Sequence, residues 1–458
     1  MPSRDQAQPA GLQRNVTLFI LFRLFFNARF YYPIFTLLFF DFGLTPSHFY
    51  ILNGVVWTVA SILLEVPSGA LADQLGRRTL MIAAAVLMVM EMTIICFTPM
   101  GGGAIVFMMF FINRVISGAA EATASGADEA LAYESIPEEE REERWPKVQA
   151  RLLVVQSIGM IVALNLGAVG YRLDYFADLL NLDWDLSKEV TSRIPLFLCL
   201  GSSLATLIIT LMMKEPPQHI SHSGQNIRQS FARTLNAGQW ILKNHAPFLI
   251  LLIFVLFDSI VRLFYTVGSS YYRVIGIDPI YFGLIGTFGN VLGLIAAPLI
   301  GWIVASKSAR TNYTVCAILI LMGLLGMALQ IPVFGFLVLM PLGIGMRLIH
   351  AATSHYLNRV TDSAHRATVL SFRGLAMMLF YGIVNVLVMI QTKAMTSVDS
   401  AALAEDPQLG DEIIKETSPY WWIWFVVVLI FLMLLRKFYY KRPIDQVIRR
   451  AEPSEKKF

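Results

Sequence analysis

Long apolar blocks, separated by short polar connectors, set the pattern of this chain. Runs such as 245–257, 318–344 and 420–435 are apolar over most of their length. About 20 such residues in a helix cross a bilayer core of roughly 30 Å. In lipid only helices and closed barrels satisfy every backbone donor and acceptor, and these blocks are too long and continuous for the alternating strands of a barrel. The pattern therefore predicts an all-α polytopic membrane protein with twelve transmembrane helices. The spans fall near 15–40, 46–71, 79–98, 104–131, 148–171, 193–213, 246–271, 280–304, 312–332, 334–357, 367–393 and 420–437.

Composition agrees. Of 458 residues, 56% are hydrophobic and only 15% charged, against roughly a quarter charged in soluble domains. Cys96, Cys199 and Cys316 lie inside apolar blocks without paired or ligand-like spacing, which predicts neither a disulfide framework nor a zinc site. The polar start MPSRDQAQPAGLQRN precedes a run long enough to span, so no cleavable signal is expected. The connectors sort by charge. Arg77 and Arg78, EEEREERWPK (138–147), the 214–245 segment, SKSAR (306–310) and RKFYYKR (436–442) are rich in Lys and Arg, whereas PMGGG, DYFADLLNLDWD and SVDSAALAEDPQLGDE are neutral or acidic. The positive-inside rule then puts both termini and the central segment on the cytoplasmic side of the inner membrane.

The sequence also repeats. FRLFF (22–26) followed by Tyr31-Tyr32 matches VRLFY (261–265) followed by Tyr271-Tyr272. Gly54 and Gly69 match Gly286 and Gly301, and Arg114 in NRVISGAAEA matches Arg347 in MRLIHAATSH. The matches keep their order at offsets of about 232 to 240 residues. Two pseudo-symmetric six-helix bundles follow (1–213 and 246–440), with a 214–245 linker and a 441–458 tail, and such repeats mark secondary transporters. In the linker Ile227, Phe231 and Leu235, with Arg228 and Arg233, predict an amphipathic surface helix. The tail RRAEPSEKK reads as disordered.

GALADQLGRR (69–78) resembles the signature loop of the major facilitator superfamily, G-x-L-x-D-x-x-G-R-[KR], and NRVISGAA (113–120) resembles its fourth-helix motif. With twelve spans in two halves, the resemblance covers essentially the whole chain. The residues themselves suggest why. Gly69 permits close helix approach, Asp73 can face the positive end of a neighbouring helix, Gly76 allows a tight turn, and Arg77 lies one turn from Asp73. Asp73 and Arg77 are expected to form a latch between halves, with Arg78 an anchor among headgroups. The superfamily pattern further implies that Arg77 pairs with an acid at the end of the fourth span, where Asp128 or Glu129 fits. The second copy, GWIVASKSAR, has Ala305 and Ser308 at the Asp73 and Gly76 positions, so the latch is expected on one side only. The fifth span, VVQSIGMIVALNLGAVG, lacks the Gly-Pro pattern of the superfamily's drug/proton antiporters, which argues against drug efflux.

A charge at the bilayer centre costs at least about 2.5–3.5 kcal/mol and needs a partner or a watery cavity. Arg114, Gly118, Glu121, Ser125 and Asp128 share one helical face. Asp258, Arg262, Thr266 and Ser269 form a second stripe, and Arg347, His350, Ser354 and Asn358 a third. Arg23, Asn27 and Tyr31, with Arg29 on another face, line the first span; Asn290 and Arg373 lie in the eighth and eleventh. Structural readings stand beside these. Asp258 and Arg262, or Arg114 and Glu121, could simply neutralise each other; Arg23 could snorkel; and Glu91, alone in the third span, reads as satisfying a neighbour. His350 and His355 do not share a face at metal spacing, so no metal is expected.

Arg29, Arg114, Arg262, Arg347 and Arg373 outnumber Glu121 and Asp258, the acids at comparable depth. A positive cavity with guanidinium forks suits carboxylate or phosphate, so an anionic or zwitterionic small solute is the expected substrate. No G-x-x-x-x-G-K-[ST] loop supplies ATP chemistry, and no nucleophile–base set suggests an enzyme. Glu121 or Asp258 is expected to carry a coupling proton. Uncoupled diffusion, multidrug efflux and a non-transporting receptor remain alternatives. The expected partners are the solute, protons and membrane lipids; no cofactor or nucleic acid is expected, and the chain is taken as a monomer.

Overall fold

A computed structural model describes residues 10–182, 184, 186–216, 236, 238–361, 363–396, 402 and 405–451, with only the backbone described at 10, 11, 13, 66–74, 363–368, 370 and 371. Ile227, Phe231, Leu235, Arg228 and Arg233 of the expected linker helix lie outside the described residues. All regular structure among those described is helical. Twelve helical segments are long and apolar enough to cross a membrane: span 1 (Arg14–Asp41), 2 (Pro46–Glu65), 3 (Arg77–Phe97), 4 (Gly103–Glu134), 5 (Glu138–Tyr171), 6 (Lys188–Met212), 7 (His245–Val274), 8 (Pro279–Ser306), 9 (Ala309–Ala328), 10 (Gly335–Val360), 11 (Phe372–Met395) and 12 (Leu409–Tyr440). Hydroxyls within them return to their own backbone, which spares lipid an unmet donor. Thr93 donates to Val89 O at 2.7 Å, Thr123 to Ala119 O at 2.7 Å and Ser259 to Val255 O at 2.6 Å.

The chain divides into two compact units, one from residues 1–33, 59–100 and 104–231, the other from 34–58, 101–103 and 232–458. In the first, span 6 packs on spans 1, 3 and 5. Its core joins Leu18, Phe22 and Phe26 to Met81, Met88, Leu131 and Ile209. Asn15, fully buried, ties the start of span 1 to Ser135 Oγ at 2.8 Å and to Lys214 O at 2.7 Å. In the second unit, span 7 packs on spans 10 and 11, and span 10 on spans 8 and 9.

Spans 1 and 2 are not plain helices. The helix Ala10–Asn27 stops, 28–31 leave helical hydrogen bonding, and the chain resumes as a short 3-10 turn, Tyr32–Ile34, and the helix Phe35–Asp41. Pro33 explains the interruption: it lacks a donor, would crowd the carbonyl four residues back, and disfavours helix at the residue before it. The open backbone is met by small residues of spans 5 and 6. Ser202 Oγ donates to Phe25 O at 2.7 Å, Phe30 N donates to Cys199 Sγ at 3.1 Å, and Gly167 leaves room for Phe30 O. In span 2 the residues Ile51–Val56 form a π-helical turn before the α-helix Trp57–Leu75. The unit boundaries, at 33/34 and 58/59, fall next to these two irregularities.

The hairpin 34–58 is accordingly part of the second unit. Thr36 N donates to Ser269 Oγ at 2.9 Å and Thr36 Oγ1 to Thr266 O at 2.7 Å. Gly54 lies against Asn385, and a side chain at Gly410 would strike the Phe40 ring. Ser270 Oγ donates to Asp411 Oδ1 at 2.5 Å, and Arg273 pairs with the same carboxylate. In the tail, expected to be disordered from Arg449 on, Ile444–Ala451 is a helix that includes both arginines, and Asp445 accepts from Arg310 N at 3.1 Å. The amphipathic spacing of Ile444, Val447 and Ile448 accounts for it.

Candidate functional site

The loop between spans 2 and 3 turns at Gly76, whose φ of 88° and ψ of 149° suit glycine alone. The turn exposes the first amides of span 3, and Glu215, just past span 6, takes both: Arg77 N donates to Oε1 at 2.8 Å and Arg78 N to Oε2 at 2.8 Å. A carboxylate at a helix N-terminus meets unsatisfied donors and the positive end of the helix dipole. Arg78 also donates to Leu211 O at 3.0 Å, so it braces the end of span 6 in addition to any headgroup contact. The surroundings of Gly69 and the side chain of Asp73 lie outside what is described.

Arg77 pairs with Glu134 at 2.6 Å, not with Asp128 or Glu129 as the resemblance implied. The reason is a break in span 4. Its helix ends at Ala124, Gly126 adopts φ 77°, and a new helix begins at Ala127. The turn takes Asp128 off the face shared by Arg114 and Glu121, and Arg23 of span 1 meets it at 2.5 Å, with Glu129 3.4 Å from the same guanidinium.

Inside the first unit the centre is Glu91 of span 3, a carboxylate with no exposure. Arg29 Nη1 lies 3.2 Å from Oε2 and Arg114 Nη2 3.5 Å from Oε1; both arginines are buried. Asn113 fixes the arrangement, accepting from Arg114 Nη2 at 2.6 Å and donating to Glu91 O at 2.7 Å. Arg114 therefore answers to Glu91, where the sequence suggested Glu121 as its neutralising partner. Glu121 is exposed and forms no ion pair among the described residues. Tyr31 is buried beside Arg29, with its ring edge-on to Tyr32 at 5.5 Å.

The second unit gathers the other singled-out residues around Asp258 of span 7, also with no exposure. Arg262, one turn on, donates from Nε at 3.0 Å and Nη2 at 3.1 Å, and His350 Nε2 of span 10 lies 2.7 Å from Oδ1. Arg373 of span 11 stands 5.7 Å from the centre of the Phe254 ring, whose plane is edge-on to His350 at 4.9 Å. Arg262 also contacts Met377 Sδ at 3.0 Å, and Tyr381 OH lies 2.9 Å from Thr266 Oγ1. Arg347, one turn from His350, lays its guanidinium where a side chain on Gly293 of span 8 would sit. Asn290, a turn before Gly293, is half-buried and makes no hydrogen bond to this group among the described residues. The Asp258 side chain is 0% exposed, those of Arg262 and His350 31% and 37%. The site thus has a buried acid and an open basic rim.

One guanidinium and an imidazole hold the carboxylate here, with Arg373 against Phe254 and Arg347 one turn from His350, and in the first unit two guanidiniums share Glu91. A low dielectric strengthens such unbalanced charge, and planar guanidiniums present paired donors to carboxylate or phosphate. Sequence reasoning gave Glu91 too small a part, although a lone acid in an apolar helix is itself the signal of a buried partner. Glu134, Glu215 and Phe254 carried no signal, since their roles depend on a kink, a cap and a ring orientation.

Residues 17–385 match the family model of the Major Facilitator Superfamily. Among solved structures the chain is similar to a bacterial homolog of the human lysosomal transporter Spinster, in an inward-facing and unoccupied conformation. The TM-score is 0.69 at 13% identity, over 98% of this chain and 100% of that one. It is also similar to a nucleoside transporter (TM-score 0.66, 13% identity, 91% and 99% coverage) and to a D-xylose-proton symporter (0.59, 16%, 89% and 96%). No curated protein matches the sequence.

Proposed function

The chain belongs to the major facilitator superfamily, and on that premise we propose that it moves a small organic anion or zwitterion across the cytoplasmic membrane by alternating access, coupled to protons. The observation that carries this reading is the cluster of the second unit, where Arg262 and His350 hold the single carboxylate of Asp258, Arg373 stands against the neighbouring Phe254 ring, and Arg347 lies one turn from His350 against Gly293. An uncompensated guanidinium inside a membrane protein is costly, and an incoming carboxylate or phosphate relieves that cost. Arg262 and Arg347 are the donors open to such a group. The buried Arg29–Glu91–Arg114 set is closed and acts as a brace. One structural neighbour is a proton symporter, which supports coupling.

The signature loop is proposed as the latch, with Gly76, Arg77, Glu134 and Glu215 as its fixed side and Asp73 as its moving contact. Both termini and the 214–245 segment are assigned to the cytoplasm on the charge of their loops. The test is thermal stabilisation of the purified protein by organic carboxylates, organophosphates, zwitterions and lipophilic cations, repeated in Arg262→Ala and Arg347→Ala. At a ligand concentration of about 100 Kd the stabilisation is about 2.7 kcal/mol. Stabilisation by one anion class, lost in both variants, is the expected result. Stabilisation by lipophilic cations alone, unchanged in the variants, would overturn the reading.

A further inference from the structure

We infer that His350, rather than a carboxylate, carries the coupled proton, taken up on Nδ1 as the substrate's anionic group binds. The inference rests on the anion reading above and assigns the coupling within that site. Asp258 is poorly placed to exchange a proton. Its carboxylate has no exposure and accepts from two nitrogens of Arg262 and from His350. Asp258 and Arg262 stand four residues apart on one helix, so that pair persists through any movement of the helix as a body. Protonating Asp258 would strand the guanidinium beside it.

His350 is placed differently. Its Nε2 faces the ionised carboxylate and therefore carries the hydrogen, which makes Nδ1 the nitrogen whose state can change. The ring is partly open, and Nδ1 has no hydrogen-bond partner among the described residues. The charged groups around it are Asp258, in contact, Arg262 on the same carboxylate, and Arg373 of span 11 against the Phe254 ring; Arg347, one turn along its own span, lies against Gly293. Phe254 packs edge-on against the ring. Spans 8 and 9 bring no charged side chain to it among the described residues; the titratable groups of span 9 toward span 10 are Tyr313, its ring tilted against that of Tyr356, and Cys316, bonded to Gly345 O.

Charge then couples the two ligands. Arg262 and Asp258 balance each other, so with Arg373 nearby one positive charge is in excess, and a proton on His350 makes two. A second excess positive charge within a membrane-spanning bundle is unfavourable until an anion arrives, and the anion binds better once the proton is there. By linkage each favours the other to the same degree. Such a site loads anion and proton together, as a symporter requires.

The experiment uses the full chain in nanodiscs, with benzoate, succinate and glycerol 3-phosphate as probes. A pH indicator in weak buffer near neutral pH reads proton uptake on addition of whichever probe stabilises the protein. The expected result is uptake by the wild type that is lost in His350→Gln, whose amide can still donate to Asp258, with anion affinity reduced by no more than about tenfold. Glu121→Gln should take up protons as the wild type does. Uptake that survives in His350→Gln or disappears in Glu121→Gln would overturn the assignment while leaving the anion site standing, as would anion binding without any uptake. If none of the three probes stabilises the protein and lipophilic cations do, both readings fall. A ligand-independent check is nitrogen-15 NMR of labelled histidine in the wild type. The His350 signal should show hydrogen on Nε2 and a bare Nδ1 at alkaline pH, and the opposite tautomer would refute the proposal.

Discussion

Glu91 holds two guanidiniums from a position with no exposure at all, so its removal does more than delete a contact. Glu91→Leu leaves Arg29 and Arg114 buried without a counter-charge, and breaking a buried pair on one side costs about 3–5 kcal/mol. The expected outcome is a large fall in thermal stability in detergent. Combining it with Arg29→Met and Arg114→Met should restore much of the loss, because apolar replacement of a whole buried set is often tolerated. Recovery would separate charge imbalance from lost packing. Gly293 gives a second residue-scale prediction. Its missing side chain makes room for the Arg347 guanidinium, so Gly293→Leu should weaken anion stabilisation as much as Arg347→Ala does, without touching a charge. An unchanged anion response would show that Arg347 takes no part in binding.

At the scale of elements, the interruption of span 1 and the π-turn of span 2 set off the hairpin 34–58, which seats on spans 7 and 11 through Thr36 and Gly54. The proposed alternating access implies that this contact opens in each cycle. Cysteines at Thr36 and Ser269, oxidised to a disulfide, should abolish substrate exchange, and reduction should restore it. Cys96, Cys199 and Cys316 are buried, which keeps the background low. Full exchange in the oxidised protein would mean that this contact stays closed throughout transport. Much of this level was readable in advance. The twelve spans follow from block length alone, but the break at Pro33 does not. Span 1 reads as continuous, because its apolar run does not pause at the proline. The Gly126 kink was equally hidden: a glycine in a helical pattern does not announce a positive φ. That one turn moved Arg77 from the expected Asp128 or Glu129 to Glu134.

For the whole molecule, the proposed sidedness rests on the ordering of charge along the loops. Cysteines placed singly at Glu140 and Lys307, both exposed, should react with an impermeant maleimide only in inverted vesicles, and one at Leu182 only in intact cells. The reverse pattern would invert the topology. The site was legible at the same coarse level: excess arginine inside the membrane could be counted from the sequence, but the grouping could not. Arg29 and Arg114 proved to share Glu91, whereas His350 proved to meet Asp258 across two spans, because helix facing is settled by packing between residues 92 positions apart. The hairpin also bears on biosynthesis. Residues 34–58 leave the ribosome early, yet Thr266, Ser269, Asn385 and Gly410, against which they pack, follow some 230 to 370 residues later. At about 5–20 residues per second, the first two spans must wait on the order of tens of seconds in the bilayer with that face uncovered. A nascent chain halted after span 6 should therefore be protease-sensitive near Asp41, and become resistant only when span 12 has been made.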